Sequence, residues 1–558
     1  MGVYTERQEE LVYRIAHEAW SRPRFTSGLW FHGDIRDNFY YASYLLAASV
    51  QKSYSEQIKF DRSAGQQMAE EVLECVLDLQ ERHRDHTMYG HWPLNLGEEP
   101  SKASPHELPV ELMGSLMAFL HEKYASFMNE ALAEKLKTAL EHIYRSGFFR
   151  KRLVLCNHHE AKYTAAKLIF GTMFRDEALL EDGKTSLANT IDRMEKEGMS
   201  EYGCLPWFWH WIQAFTCALE LTEDPAIRQS LRNLLDRLWI IRGSFYLKGA
   251  WVGAHSRGWL HDVPRDANVL HDYVQFGDFE LPEEMPRTEY AGFLFYEAPA
   301  AVEEMAVQRE HPAEVRMALN KQVNGEKLRL HSYAYVTKSF GCGGLWERVA
   351  EFDNEQVRWM FSLPVRSEKR GNQLYFFHPG EGYDPSGNDP RHQSRWMQPM
   401  YSRNTILSIF PFPEDQEHGV IGIIPEGEWL SDANALYGLV EDVLFAVYLN
   451  GSYELIPQEG YTQVICDQEV GGVVVEAILL EEAAEWGMAS LKAFQAGMTR
   501  RRPEFEGGEG MPLKIRYTSK LIGQLLELEE ASPGELGARI NGERVMLRNY
   551  SLGIGMME

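Results

Sequence analysis

The sequence predicts an α+β protein in which an N-terminal α/α toroid, residues 1–320, is followed by a C-terminal antiparallel β-sandwich, residues 321–558. Three features predict it. Apolar residues recur at the three-to-four spacing of a helical face through the first part of the chain. Greasy and amphipathic helices alternate there, as an inner and an outer helical layer require. Beyond about residue 325 the pattern changes to short β-rich runs separated by Gly, Asp, Asn and Pro turns.

The helical part begins with "EELVYRIAHEAW" and continues through "QQMAEEVLECVLDLQERH", "ELPVELMGSLMAFLHEKYA", "NEALAEKLKTALEHIYRS", "TSLANTIDRMEKEG" and "RQSLRNLLDRLWIIRGSF", all amphipathic. Between them, "NFYYASYLLAASV" and "WFWHWIQAFTCALEL" are apolar nearly all round and read as inner helices. No fixed sequence repeat is visible, which argues against a helical solenoid. The segment "AVEEMAVQREHPAEVRMALNKQVNGEK" reads as a last helix and a linker. Strands are then expected in runs such as "LRLHSYAYVTKSFG", "VRWMFSLPV", "HGVIGIIP", "LFAVYLNGSYELI" and "GGVVVEAILLE", with one inserted helix, "EEAAEWGMASLKAFQAG".

Composition narrows the function. With 56 Lys and Arg against 82 Asp and Glu, the formal net charge is −26, which argues against a nucleic-acid partner. An acidic surface also repels an anionic polysaccharide at long range, so such a substrate needs a local basic pocket. No run of about 18 apolar residues occurs, so no membrane span is expected. The first residues, "MGVYTERQEELVYRIAHEAW", lack an apolar signal core, and the six cysteines show no CxxC pairing. Both point to a cytoplasmic protein with free thiols. The oligomeric state is open, a homodimer included.

Polar and aromatic residues concentrate in four stretches. "GLWFHGDIRDNFYYASYL" holds Asp34, Arg36 and Asp37; "MYGHWPLNLG" holds Trp92; "LVLCNHHEAKYTAAKLIFGTMF" holds Asn157, His158 and His159. The fourth joins "EYGCLPWFWHW" to "GAWVGAHSRGWLHDVPRDANVLHDY". Each has a structural explanation. Asp34 and Arg36 fit a helix N-cap with an ion pair. Trp92, Trp207, Trp209 and Trp211 fit a core as well as a sugar-stacking platform. His159 is expected to turn away from the group that Asn157 and His158 address, because adjacent residues on a helix do not share a face. For His255, Arg257, His261, Asp262, Arg265 and Asp266 a purely structural role is harder to supply, since buried charges need partners.

The layout and these motifs resemble the heparinase II/III-like and alginate-lyase-like polysaccharide lyases. The resemblance implies an Asn–His pair, here Asn157-His158, that neutralises a substrate uronate carboxylate, and a Tyr or His that removes the C5 proton. "MSEYGCLPWFWHW" is similar to the segment carrying the family's catalytic Tyr, but Phe208, Trp209 and His210 stand nearest that position. "AHSRGW" is similar to a His-Ser-Arg element of the heparinase-like toroids. The chemistry is consistent with this inventory. Taking a proton α to a carboxylate requires donors or cations for the enolate-like intermediate, for which Asn157, His158 and Arg257 are eligible. Tyr202, Tyr246, His210 and His255 are eligible as base and acid. Asp34, Arg36, Trp92, Trp207, Trp209, His261 and Arg265 are eligible to bind the sugar. No H-x-x-x-H or Cys–His spacing occurs, so neither a metal nor another cofactor is expected.

Two other readings stay open. A glycoside hydrolase on the same toroid would use two carboxylates, drawn from Asp34, Asp37, Asp262, Asp266, Glu160 and Glu201. A non-catalytic glycan-binding protein would use the aromatics in an open groove.

Overall fold

The computed structural model describes residues 3–557 apart from 52, 54–56, 257–263, 284, 286, 324, 350–356, 369–370, 381–392, 414, 417–418, 468, 470, 509–510, 533–534 and 553–555. Its first half is built from α1 (Val3–Ser21), α2 (Ile35–Val50), α3 (Arg62–Asp78), α4 (Glu107–Tyr124), α5 (Glu130–Ser146), α6 (His158–Met173), α7 (Glu177–Glu197), α8 (Leu205–Leu221) and α9 (Pro225–Ser244). Helices α2, α4, α6 and α8 pack on one another in that order and are buried along almost their whole length. Around them α1, α3, α5, α7 and α9 bury one face each. This is the expected inner and outer layering, with two reassignments. The segments of α4 and α6 look amphipathic in sequence, yet both are inner helices. The polar side chains that create the pattern, Glu111, Lys162 and Lys167, are themselves buried and paired.

Helices α6 and α7 cross closely because each offers a glycine. A Cβ on Gly171 would lie 2.8 Å from the backbone of Leu180, and one on Gly183 would lie 3.0 Å from Leu168. The segment 270–296 closes the ring between α8–α9 and α1–α2. Arg7 of α1 donates to the carbonyls of Val274 and Gln275 at 3.1 and 3.2 Å, and Gly292 donates its N–H to Tyr44 Oη of α2 at 2.9 Å.

The second half holds three sheets among the described residues. Its first strand, Ala313–Val323, starts inside the segment expected to be a linker and pairs with Glu326–Val336 in a sheet of ten strands among the described residues. A six-stranded sheet packs on it, with Phe361 against Phe445 (5.8 Å) and Tyr333 stacked on Tyr401 (5.7 Å). A five-stranded sheet covers the other face, with Tyr448 against Tyr517 (5.8 Å). The six-stranded sheet is therefore covered on both sides, which is why Val443–Leu449 and Gly472–Leu479 are nearly unbroken apolar runs. The one inserted helix expected from sequence is two, Leu480–Glu485 and Leu491–Met498, parted at Gly487, whose φ of +76° a side chain would resist.

The halves are stitched together by hydrogen bonds. Lys321 Nζ donates to Ser200 O (3.1 Å), Ser362 Oγ to Trp251 O (2.9 Å), and His255 and Val357 exchange backbone hydrogen bonds of 2.9 Å. No helix among the described residues is long and apolar enough to cross a membrane.

Candidate active site

The first turns of the four inner helices converge at one end of the toroid, and their polar side chains form one connected cluster. At α6, Asn157 is the N-cap: its side-chain oxygen accepts from Glu160 N at 3.1 Å. Its amide nitrogen has no partner among the described residues. The next two residues divide. His158 Nδ1 lies 2.5 Å from Glu201, and His159 Nδ1 lies 2.7 Å from Glu111, although the two rings are only 3.9 Å apart. The run is thus a cap followed by two histidines, each tied to its own buried carboxylate.

His158 is the chemically suggestive one. Glu201, buried in the loop before α8, also accepts from Trp211 Nε1 at 2.7 Å. Burial alone would raise the Glu201 carboxyl, but these two partners hold it below its usual range, so it is an ionised acceptor. His158 Nδ1 must then carry the proton, which leaves Nε2 with its lone pair and with no hydrogen-bond partner among the described residues. Burial, only partly offset by Glu201, pushes the imidazolium down to about 4, so the ring is neutral near pH 7. Half-buried Trp207 lies over the imidazole at 4.5 Å and 17°. His210, one turn along α8, is 5.5 Å from His158 and pushed well below its usual range by burial and by the nearby cations Lys162, Arg287 and Arg36.

Three cation–carboxylate pairs surround this ring. Lys162 Nζ meets Glu111 at 2.6 Å, with Tyr163 Oη donating to the other oxygen at 2.6 Å. Burial would raise Glu111, and Lys162 with His159 reverses that and holds it far down. Arg36 grips Asp34, the N-cap of α2, at 2.5 and 3.0 Å. Arg287 Nε lies 3.4 Å from Glu289, which also accepts from Gln213 Nε2 at 2.5 Å. Glu289 sits at φ +40°, a left-handed conformation uncommon for a non-glycine residue and often kept at functional sites. Next to Arg36, burial and the charge of Asp34 push the Asp37 carboxyl up to about 7 against Arg287 and Arg36.

The structure therefore brings Asp34, Arg36, Asn157, His158, Trp207 and His210 into one cluster at the starts of the inner helices. Tyr202 and His255 adjoin it. A Cβ on Gly203 would lie 1.8 Å from Ala254 O, and Ser256 Oγ donates to Tyr202 O at 2.7 Å, so the loops carrying Glu201 and His255 touch. His255 is engaged through both ring nitrogens, by Asp266 at 2.8 Å and Gly253 O at 3.1 Å. Tyr202 is buried under Lys321, 5.4 Å from its ring. Arg265 lies apart, beside Arg366 and Asn372 at the seam between the halves. Arg257 and His261 lie outside the described residues.

Three expectations are corrected. Trp92 is fully buried, its Nε1 donating to Val76 O at 2.8 Å. Trp209 is buried against Trp239 and His271 and donates to Asn268 O at 2.6 Å. Tyr246 is buried with its hydroxyl on Asp278 and its ring 4.8 Å from Arg242. Each is core, because each polar tip finds a partner inside the fold and no face is left for a sugar. Glu111, Lys162, Gln213, Arg287 and Glu289 were not singled out in sequence. The available signal was a charge inside an otherwise buried helix, as at Glu111 and Lys162. No cluster of three or more His, Cys, Asp or Glu among the described residues is arranged to hold a metal ion.

No protein-family profile matches the chain, and no curated protein matches it. Solved structures resemble it in layout. A heparinase III structure is 10% identical, with a TM-score of 0.43, over 89% of this chain and 82% of that one. A chondroitin AC lyase from Streptomyces coelicolor A3 is 9% identical, with a TM-score of 0.44, over 96% and 87%. A heparan sulfate lyase from Pedobacter heparinus is 10% identical, with a TM-score of 0.31, over 99% and 94%.

Proposed function

We propose that this cluster cleaves a uronate-containing oligosaccharide or polysaccharide by β-elimination, with His158 as the base. The observation that supports the reading is a neutral imidazole, oriented at Nδ1 by a buried carboxylate and without a partner at Nε2 among the described residues. Nε2 takes the C5 proton, the C5–H electrons form the C4=C5 double bond, and the C4–O bond breaks. The imidazolium, now beside ionised Glu201, returns the proton to the leaving oxygen, so the same ring serves as base and acid. The Asn157 amide nitrogen and the cations Arg36 and Arg287 are suited to meet the substrate carboxylate as charge builds on it. Trp207 offers an aromatic face to a sugar. The resemblance of the Asn157-His158 segment to the heparinase-like lyases points the same way.

The test is a panel of uronate-containing glycans assayed for new unsaturated, ultraviolet-absorbing ends. The reading expects such ends with at least one glycan, and no turnover of neutral glycans.

One observation favours the hydrolase reading. A carboxyl raised to about 7, as at Asp37, is suited to general-acid catalysis beside a second carboxylate such as Glu289. That reading expects reducing ends without a gain in absorbance, and abolition of activity in Asp37→Asn. β-Elimination expects Asp37→Asn to keep activity within a few fold.

A further inference from the structure

Away from the helix starts, the second half carries a groove of about 750 Å³, walled by the ten-stranded sheet on one side and residues 528–532 and 535–537 on the other. Its floor is a buried arginine. Arg358 spans two segments, donating to Leu345 O at 3.3 Å, to Met397 O at 2.5 Å and to Trp346 O. All three acceptors are neutral carbonyls. Burial pushes Arg358 down to about 10, and the nearby charge of Glu347 offsets this only in part. Above it the groove is lined by two exposed arginines, Arg348 and Arg395. Neither has a carboxylate partner among the described residues; Arg348 reaches only Gln393 O, at 3.4 Å, and Arg395 stacks on the Trp396 ring at 4.4 Å. The opposite wall bears Glu530 and Glu535, and it is pinned in place by a paired amide contact, Gln398 with Ala531, both bonds 3.0 Å.

Glu347, Glu530 and Glu535 share the groove with Arg329, Arg348, Arg358 and Arg395, and Glu347 is already taken by His331, so Arg348 and Arg395, which are in no ion pair among the described residues, offer charge that a bound anion neutralises. The volume falls within the range of small-ligand sites. A planar guanidinium pair matches a carboxylate or sulfate, Trp396 matches a sugar face, and glutamates across the groove match sugar hydroxyls. We infer that this groove is a second, non-catalytic binding site for an acidic oligosaccharide, held through its carboxylate or sulfate by Arg348 and Arg395. It retains ligand on the second half of the chain while the helical site works, which answers the long-range repulsion of a polyanion by an acidic surface.

The test is titration calorimetry of the full chain with an unsulfated uronate tetrasaccharide, a sulfated one and a neutral one, in wild-type protein, in Arg348→Ala/Arg395→Ala and in Arg348→Lys/Arg395→Lys. The wild type is expected to bind two equivalents of an acidic probe. The alanine pair is expected to lose one equivalent, with affinity down about a hundredfold at that site from two charge-assisted contacts, and an unchanged melting curve because both side chains are exposed. The lysine pair recovers part of the affinity. A preference for the sulfated probe assigns the anion as sulfate, and equal binding assigns it as carboxylate. Unaltered stoichiometry and affinity in the alanine pair, or equal binding of the neutral probe, overturns the proposal. The readout is binding, so a chain that cleaves nothing can still pass or fail it.

Discussion

His158 and His255 present the same pairing in two settings. Each is a histidine with a ring nitrogen on a carboxylate, at 2.5 Å to Glu201 and 2.8 Å to Asp266. What separates them is the other nitrogen. His255 spends it on Gly253 O, and its backbone pairs with Val357 of the second half, so the residue is a clamp between the two halves. His158 leaves it without a partner among the described residues, beside Trp207, where burial keeps the ring neutral. A carboxylate–histidine pair is therefore uninformative until the second nitrogen is accounted for.

The comparison breaks first at His158. His158→Ala is expected to cut kcat by about 10² to 10⁴, the range for a lost general base, and to cost about 1–3 kcal/mol of stability because buried Glu201 loses a partner. Wild-type turnover in this variant would reduce His158 to a core histidine. Next, Glu201→Gln is expected to lower kcat on the order of 10²-fold, as expected when an imidazole loses the group that orients it. It should also move the acidic limb of the pH profile to lower pH, because the Glu201 carboxylate is what raises His158 against burial. A purely structural Glu201 would change stability and leave that limb in place. His255→Gln, by contrast, should leave kcat within a few fold while costing about 1–3 kcal/mol of stability by denaturant unfolding, since Asp266 and Gly253 O both lose a partner. Smallest is Tyr246→Phe, expected to leave turnover unchanged and to cost about 1 kcal/mol through the lost hydroxyl bond to Asp278. A strong loss of kcat there would restore tyrosine as the base.

The sequence made the helical and β-rich halves legible because periodicity reports burial directly. It misplaced α4 and α6, whose buried ion pairs at Glu111–Lys162 and Lys167–Asp182 imitate a polar face. The same physics governs the site. Asn157-His158 was visible as a polar run at a helix start, but its partner Glu201 lies 43 residues on. Nothing in local spacing shows which carboxylate folds back onto which ring. The tryptophans failed for the converse reason, since an indole is equally suited to a core and to a sugar, and only Trp207 of the three expected to bind sugar is left with an accessible face.

The measurement that tests the central claim most directly is the pH dependence of kcat/KM on a cleaved uronate substrate, which reports the titration of the free enzyme's base. His158 is lowered from 6.5 to about 4 in the folded protein, so protonation removes the base only at the acid end. The expected profile rises with pH through about 4 and is already on its plateau near neutrality. A profile that is flat at low pH values and rises only toward about 10, the range of a titrating tyrosine, would contradict the assignment of His158.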